Sequence, residues 1–170
     1  MPPAFSAKDN IHAIIETPKG SRNKYTFNAG TGLFSLKKIL PLGLCFPLDF
    51  GFIPQTMAED EDPMDVLIFM EEPGFPGCQV ECRVIGIIKA EQVKNKKKIR
   101  NDRVLGVELQ SKAYAMFKDV SDVSKEFLED VTRFFEFYHQ KEGDKFKALG
   151  IANAGTAIRL IRKNLLNHTI

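Results

Sequence analysis

Glu59-Asp60-Glu61-Asp62-Pro63-Met64-Asp65-Val66-Leu67-Ile68-Phe69-Met70 sets five acidic residues within seven positions directly against an apolar run. Pro63 fixes its own φ and pushes Asp62 out of the helical region. An extended backbone is therefore expected, with Asp60 and Asp62 on one side. Val66 to Met70 has the length of a strand, and Asp65 stands where it begins. Carboxylates gathered at the mouth of a strand repel one another unless a cation joins them. Oxygen-only ligands at this density suit a hard divalent ion, Mg²⁺ before Zn²⁺.

Two other readings compete. One is a solvated acidic turn ahead of a buried strand, but the proline and the abrupt apolar run argue against it. The other is an EF-hand loop starting at Asp60. There Met64 would take a ligand position and Asp65 the place of the required glycine, which excludes it.

Outward from this stretch, the pattern is strand-rich. Ile11 to Thr17 reads as a strand that ends at Pro18-Lys19-Gly20, and Glu16, near its end, reads as an exposed edge charge. Lys24 to Phe27 and Leu33 to Leu40 flank a turn at Asn28-Ala29-Gly30-Thr31-Gly32, which predicts a hairpin carrying Lys37 and Lys38. Cys45 to Pro54 holds two prolines and a glycine among aromatics. It is expected to be a bent, buried connection. Gln79 to Lys89 predicts a long strand and Val104 to Leu109 a returning one. The basic run Glu91 to Arg103 between them is expected to be a solvated hairpin loop.

The last third is helical. Phe127, Leu128, Val131, Phe134, Phe135 and Tyr138 share one helix face. Ser121 or Ser124 can cap the start, and Gly143 lies past the end. Phe146 to Ile151 reads as a short extended piece. Asn153 to Leu166 is expected as a second helix, with Ala154, Ile158, Ile161 and Leu165 inward. Strands followed by helices fit an α+β fold with a small closed barrel.

The totals narrow the function. At 170 residues one domain, 1–170, is expected. A net charge of +2 gives no electrostatic case for nucleic acid, and the Lys94 to Arg103 run has no aromatic residues for stacking bases. Three cysteines, Cys45, Cys78 and Cys82, form neither a disulfide framework nor a zinc site. His12, His139 and His168 are scattered. With no apolar run of membrane-spanning length and no signal-peptide pattern at the start, the expected address is cytoplasmic.

The spacing Asp60-x-Asp62-Pro63-x-Asp65 followed by Val66-Leu67 resembles the signature of the soluble inorganic pyrophosphatases. The resemblance runs from about Ile11 to the last helix. It includes Ile14-Ile15-Glu16, Asn23-Lys24-Tyr25, Thr31-Gly32-Leu33-Phe34, Phe50-Gly51-Phe52-Ile53-Pro54 and Phe134-Phe135-Glu136-Phe137-Tyr138. It implies a small five-stranded closed, OB-like β-barrel with two flanking C-terminal helices. It also implies hydrolysis of diphosphate to two phosphates with Mg²⁺, or Mn²⁺ in its place, and a homo-oligomeric assembly.

By position, the resemblance makes Asp60 and Asp65 metal ligands and Asp62 the base that orients the attacking water. Glu16 would serve outer metals. Lys24, Tyr138 and Lys145 match phosphate-binding positions. Lys38 stands where the family usually has Arg, and Arg103 where it usually has Lys. Two further family carboxylates are replaced. The first place falls on Glu91 or Gln92 according to register, the second on Asn101 with Asp102 one step away. Thr26 replaces an acid, Phe46 and Phe50 replace tyrosines, and His139 replaces a phosphate-facing Lys. The alternative reading of these departures is a weakened or repurposed relative that binds phosphate compounds or a protein partner.

The chemistry agrees with the residue types. Charge repulsion slows hydrolysis of diphosphate. Clustered carboxylates can hold neutralising metals, while Lys, Arg and Tyr hold phosphate oxygens.

Overall fold

A computed structural model describes residues 1–94, 96–141 and 143–166, the side chain of Lys94 excepted. His168 lies outside these residues. The described elements are β1 (Asn10–Thr17), β2 (Asn23–Asn28), β3 (Leu33–Ile39), β4 (Asp49–Phe52) and β5 (Asp65–Phe69). Then come β6 (Gln79–Lys94), β7 (Lys97–Arg100), β8 (Arg103–Glu108), helix α1 (Lys125–Lys141), β9 (Lys145–Asn153) and helix α2 (Ala154–Lys163).

Five strands close on themselves. β1 pairs β4, β4 pairs β5, β5 pairs β8, β8 pairs β6, and β6 returns to β1. This is the expected five-stranded ring, with both helices following most of the strands. β7 and β9 extend it from β6, while β2 and β3 form a separate two-stranded sheet.

The run Val66 to Phe69 is apolar throughout because both faces of β5 are covered. Leu67 and Phe69 join one core with Phe46, Phe50, Leu105 and the inward face of α1. Val66 and Ile68 join a second with Ile11, Ile15, Val104, Ala157 and Ile161. The predicted α1 face is buried at Leu128, Val131, Phe134, Phe135 and Tyr138. The Ser124 hydroxyl accepts from the Phe127 N–H at 3.4 Å near its start. Gly143, at φ +77, follows its end.

Three expectations need correction. The Cys45 to Pro54 stretch contains a regular strand, β4, bracketed by its two prolines. Gly51 makes that strand possible: a Cβ there would stand 2.1 Å from the Ile14 carbonyl oxygen of the neighbouring strand β1. The basic segment is not a loop, because β6 runs on to Lys94 and pairs β7 from Lys94↔Lys97 back to Glu91↔Arg100. Helix α2 stops at Lys163 and buries Ala157 and Ile161 rather than Ala154 and Leu165. Leu165 instead bridges to Thr56, and the Leu166 N–H donates to the Gln55 carbonyl at 2.9 Å.

Candidate active site

The acidic loop is turned rather than extended. Glu61 takes φ +68, the Ala58 N–H donates to the Asp62 carbonyl at 2.8 Å, and Asp60 Oδ1 accepts from the Asp62 N–H at 3.3 Å. A side chain that caps the backbone two residues on is a known alternative to extended pairing. Asp60 is thereby half-buried, and Asp62 is exposed at the loop surface.

Asp65 opens β5. Its register partner in the parallel strand β8 is Arg103, and their side chains approach to 3.8 Å. Glu16 lies on β1 at a register shift between Ile15 and Thr17. It is buried, not an exposed edge charge. Its Oε1 accepts from the Phe27 N–H at 2.7 Å and the Thr26 hydroxyl at 3.4 Å. Thus Thr26, in the place of an acid, ties the β2–β3 hairpin to Glu16.

Burial raises all three of these carboxyls above their ordinary range. Asp65 is pushed up to about 6, with Asp60 and Glu16 adding to the rise while Arg103 and Lys24 oppose it. Glu16 and Asp60 are raised in the same sense, each first by burial. Their charge is poorly solvated, so an added cation would be favoured.

The opposing wall is cationic and aromatic. Lys24 and Lys38 are register partners across the hairpin. Lys24 Nζ lies 4.8 Å from the Phe50 ring centre and 5.5 Å from that of Tyr138, and Lys38 Nζ lies 4.7 Å from the Tyr138 ring. Burial lowers both ammonium groups to about 8; Asp65 supports the charge of Lys24, and Lys24 opposes that of Lys38. The Tyr138 hydroxyl is buried with no hydrogen-bond partner among the described residues. Such an atom is costly unless a ligand supplies the partner.

Arg103 is 3 % exposed. Its guanidinium carbon lies 4.2 Å from the Phe135 ring centre and 4.7 Å from that of Phe146. Nη1 donates to the Asn101 carbonyl at 3.0 Å, and Nη2 lies 3.2 Å from His139 Nε2.

The candidate residues at the two altered carboxylate places each have defined partners. Asn101 and Gln92 bond each other, and Gln92 Nε2 donates to Asp144 Oδ2 at 2.8 Å. Glu91 instead pairs Lys98 at 3.5 Å. Asp102 accepts from Arg100 at 2.6 Å and from the Ala90 N–H at 3.0 Å. It lines a separate cavity of about 210 Å³ with Glu59, Lys89 and Lys163. Lys145 is exposed beside an open groove with Asp144 and Phe146.

The structure therefore gathers Glu16, Asp65, Lys24, Lys38, Arg103, Tyr138 and His139. It leaves Asp62 and Lys145 at the surface and gives Glu91 and Asp102 other partners. Among the described residues, no three acidic, His or Cys side chains converge closely enough to hold a metal ion as they stand. Asp144, Phe135 and Phe146 were not foreseen as parts of this region. Phe146 looked like an ordinary apolar strand position, and only the pairing of β9 with β6 brings it to Arg103.

The family model described as inorganic pyrophosphatase matches residues 13–168. The inorganic pyrophosphatase of Synechocystis sp. is 31% identical over 166 residues, 98% of this chain and 96% of its own length. That of Thermus thermophilus is 35% identical over 147 residues, 86% of this chain and 82% of its own. The crystal structure of the Thermus thermophilus enzyme superimposes with TM-score 0.86 at 32% identity, covering 95% of this chain and 92% of that one. The pyrophosphatase structure from Coxiella burnetii gives 0.87 at 28% identity, covering 95% and 96%. The chain belongs to the inorganic pyrophosphatase family.

Proposed function

We infer that this protein hydrolyses inorganic diphosphate to two phosphates. The observation that carries the reading, within the family, is the meeting of two opposite walls. Raised carboxyls of Asp60, Asp65 and Glu16 face Lys24, Lys38, Arg103 and an unpartnered Tyr138 hydroxyl.

In this reading the cations and the Tyr138 hydroxyl hold the oxygens of a polyanion, and their fixed placement favours the charge that develops as the bridging bond breaks. Asp62, on the exposed loop, orients and deprotonates the attacking water. Arg103 neutralises one end of the substrate while balancing Asp65. Lys145 meets substrate at the rim.

The donor set fits a hard divalent cation, because every candidate ligand is an oxygen. Asp60 and Asp65 would hold it, with the Asn101 amide oxygen beside them and Glu16 further out. Mg²⁺ is the expected ion and Mn²⁺ the alternative. When bound, such an ion supplies positive charge against the diphosphate and makes water more acidic. Glu91 and Asp102 are left out of this set, because each already has a basic partner, Lys98 and Arg100.

The test is release of phosphate from diphosphate in the presence of Mg²⁺. Release well above buffer is expected. No release with either metal would overturn the reading.

A further inference from the structure

His139 replaces a cation in a region that otherwise collects them, and its surroundings explain what it does there. Arg103 is buried, with the rings of Phe135 and Phe146 packed against its guanidinium. A guanidinium carries five donors and no acceptor. So buried, it needs oxygens or nitrogens to receive its protons. Asn101 gives a backbone carbonyl to Nη1 at 3.0 Å. Asp65 Oδ2, at 3.8 Å from Nη2, is beyond hydrogen-bond reach. His139 Nε2 lies 3.2 Å from Nη2. Since Arg cannot accept, Nε2 is the acceptor and the imidazole proton sits on Nδ1.

The imidazole is well suited to that task. Its ring lies nearly parallel to Phe146, 4.8 Å between centres and 5° between planes, so its orientation is fixed. Burial, together with the charges of Arg103, Lys24 and Lys38, lowers its pKa to about 3. It is therefore neutral at neutral pH. A Lys in this place would bring a second cation against Arg103 and offer it no acceptor.

We propose that His139 is a positioning residue that aims the Arg103 guanidinium at the substrate by accepting from Nη2, and that it does not bind phosphate itself. The inference rests on the diphosphatase reading. It explains two departures together: Arg at 103 and His at 139 work as one unit, where the family usually has two lysines.

The test is a cycle of kcat and KM for diphosphate hydrolysis in wild type, His139→Gln, His139→Leu, His139→Lys, Arg103→Lys and the double variants. His139→Leu removes the acceptor and should lower kcat/KM about tenfold or more. His139→Gln, which keeps an acceptor, should recover most of that loss. His139→Lys, although it restores the usual family residue, should be as damaging as Leu. In an Arg103→Lys background the same three changes should matter little, because the group they orient is gone. Equal losses in both backgrounds, or a gain from His139→Lys alone, would overturn the proposal. Thermal unfolding identifies any variant that fails to fold, and the Gln and Lys variants then decide without Leu. If wild type shows no turnover, the diphosphatase reading fails by itself. Calorimetric binding of inorganic diphosphate then carries the same cycle, and additive effects there, or no binding by wild type, overturn the positioning role.

Discussion

Asn101 donates its side-chain N–H to Gln92 Oε1 at 2.7 Å. Gln92 accepts this bond and passes its own N–H to Asp144. Two carboxylates at these positions would repel one another and call for a cation; two amides hold together without one.

This neutral pair predicts a high metal requirement. Asn101→Asp should lower the Mg²⁺ concentration that gives half-maximal phosphate release, and Gln92→Asp with Asn101→Asp should lower it further. Asp102→Asn should leave the requirement unchanged, because Asp102 faces Arg100 and the Ala90 N–H. Its cost should appear in thermal stability, about 1 kcal/mol. The opposite ranking in a Mg²⁺ titration would make Asp102 the ligand.

Asp65→Asn should reduce turnover by about two orders of magnitude or more, in line with the loss of other fixed charge-stabilising groups. The same change should raise stability at pH 7. Asp65 has a folded pKa raised to about 6 from 3.8, so its carboxyl holds a proton in the folded chain that the unfolded chain has released. Stability is therefore lost as pH rises from about 3.8 to about 6 and stays lost above it. Asn avoids this loss, with a ceiling of about 3 kcal/mol. Unfolding curves of both proteins between pH 4 and 8, without added metal, check this, and parallel curves would count against it.

Anion affinity should fall as pH rises through about 8, where Lys24 and Lys38 lose their protons. Because their pKa values are depressed, their effect on stability has the opposite slope. The unfolded chain binds more protons between about 8 and 10.5, so stability rises across that window. Lys24→Arg keeps its charge and should flatten the affinity profile. Calorimetry with diphosphate from pH 6.5 to 9 measures it, and identical profiles would place Lys24 outside the binding wall.

Gly51→Ala should be severely destabilising, by about 3 kcal/mol or more, or should prevent folding. The added Cβ would meet the backbone of Ile14 and Ile15, not a flexible side chain. Chemical denaturation of this variant beside Gly20→Ala, where space is open but φ is +80, separates a clash from simple backbone strain.

Local patterns carried much of this fold. The face of α1, the long strand β6 and the acids ahead of β5 each declare themselves through periodicity or spacing within one element. What was hidden depended on contacts between elements. Pro47 and Pro54 concealed β4 because they sit outside the strand, and the reason for Gly51 is the backbone of β1. The choice between Glu91 and Gln92 depends on which face of β6 meets Asn101, near a register shift against β9 between Lys89 and Ala90. The contact of His139 with Arg103 was hidden too, since nothing nearby in sequence shows Arg103 against two aromatic rings.

The parallel pairing of β5 with β8 has a consequence for quality control. Asp65 sits opposite Arg103, Val66 opposite Val104 and Leu67 opposite Leu105. The alignment that sorts Val66 and Leu67 into separate cores is the same one that sets a carboxylate beside a guanidinium. A slip of one residue would send the apolar side chains to the wrong faces and part the charged pair in the same movement. In the proposed site, turnover and packing thus depend on one alignment, and turnover measured on this protein would double as a readout of correctly registered strands.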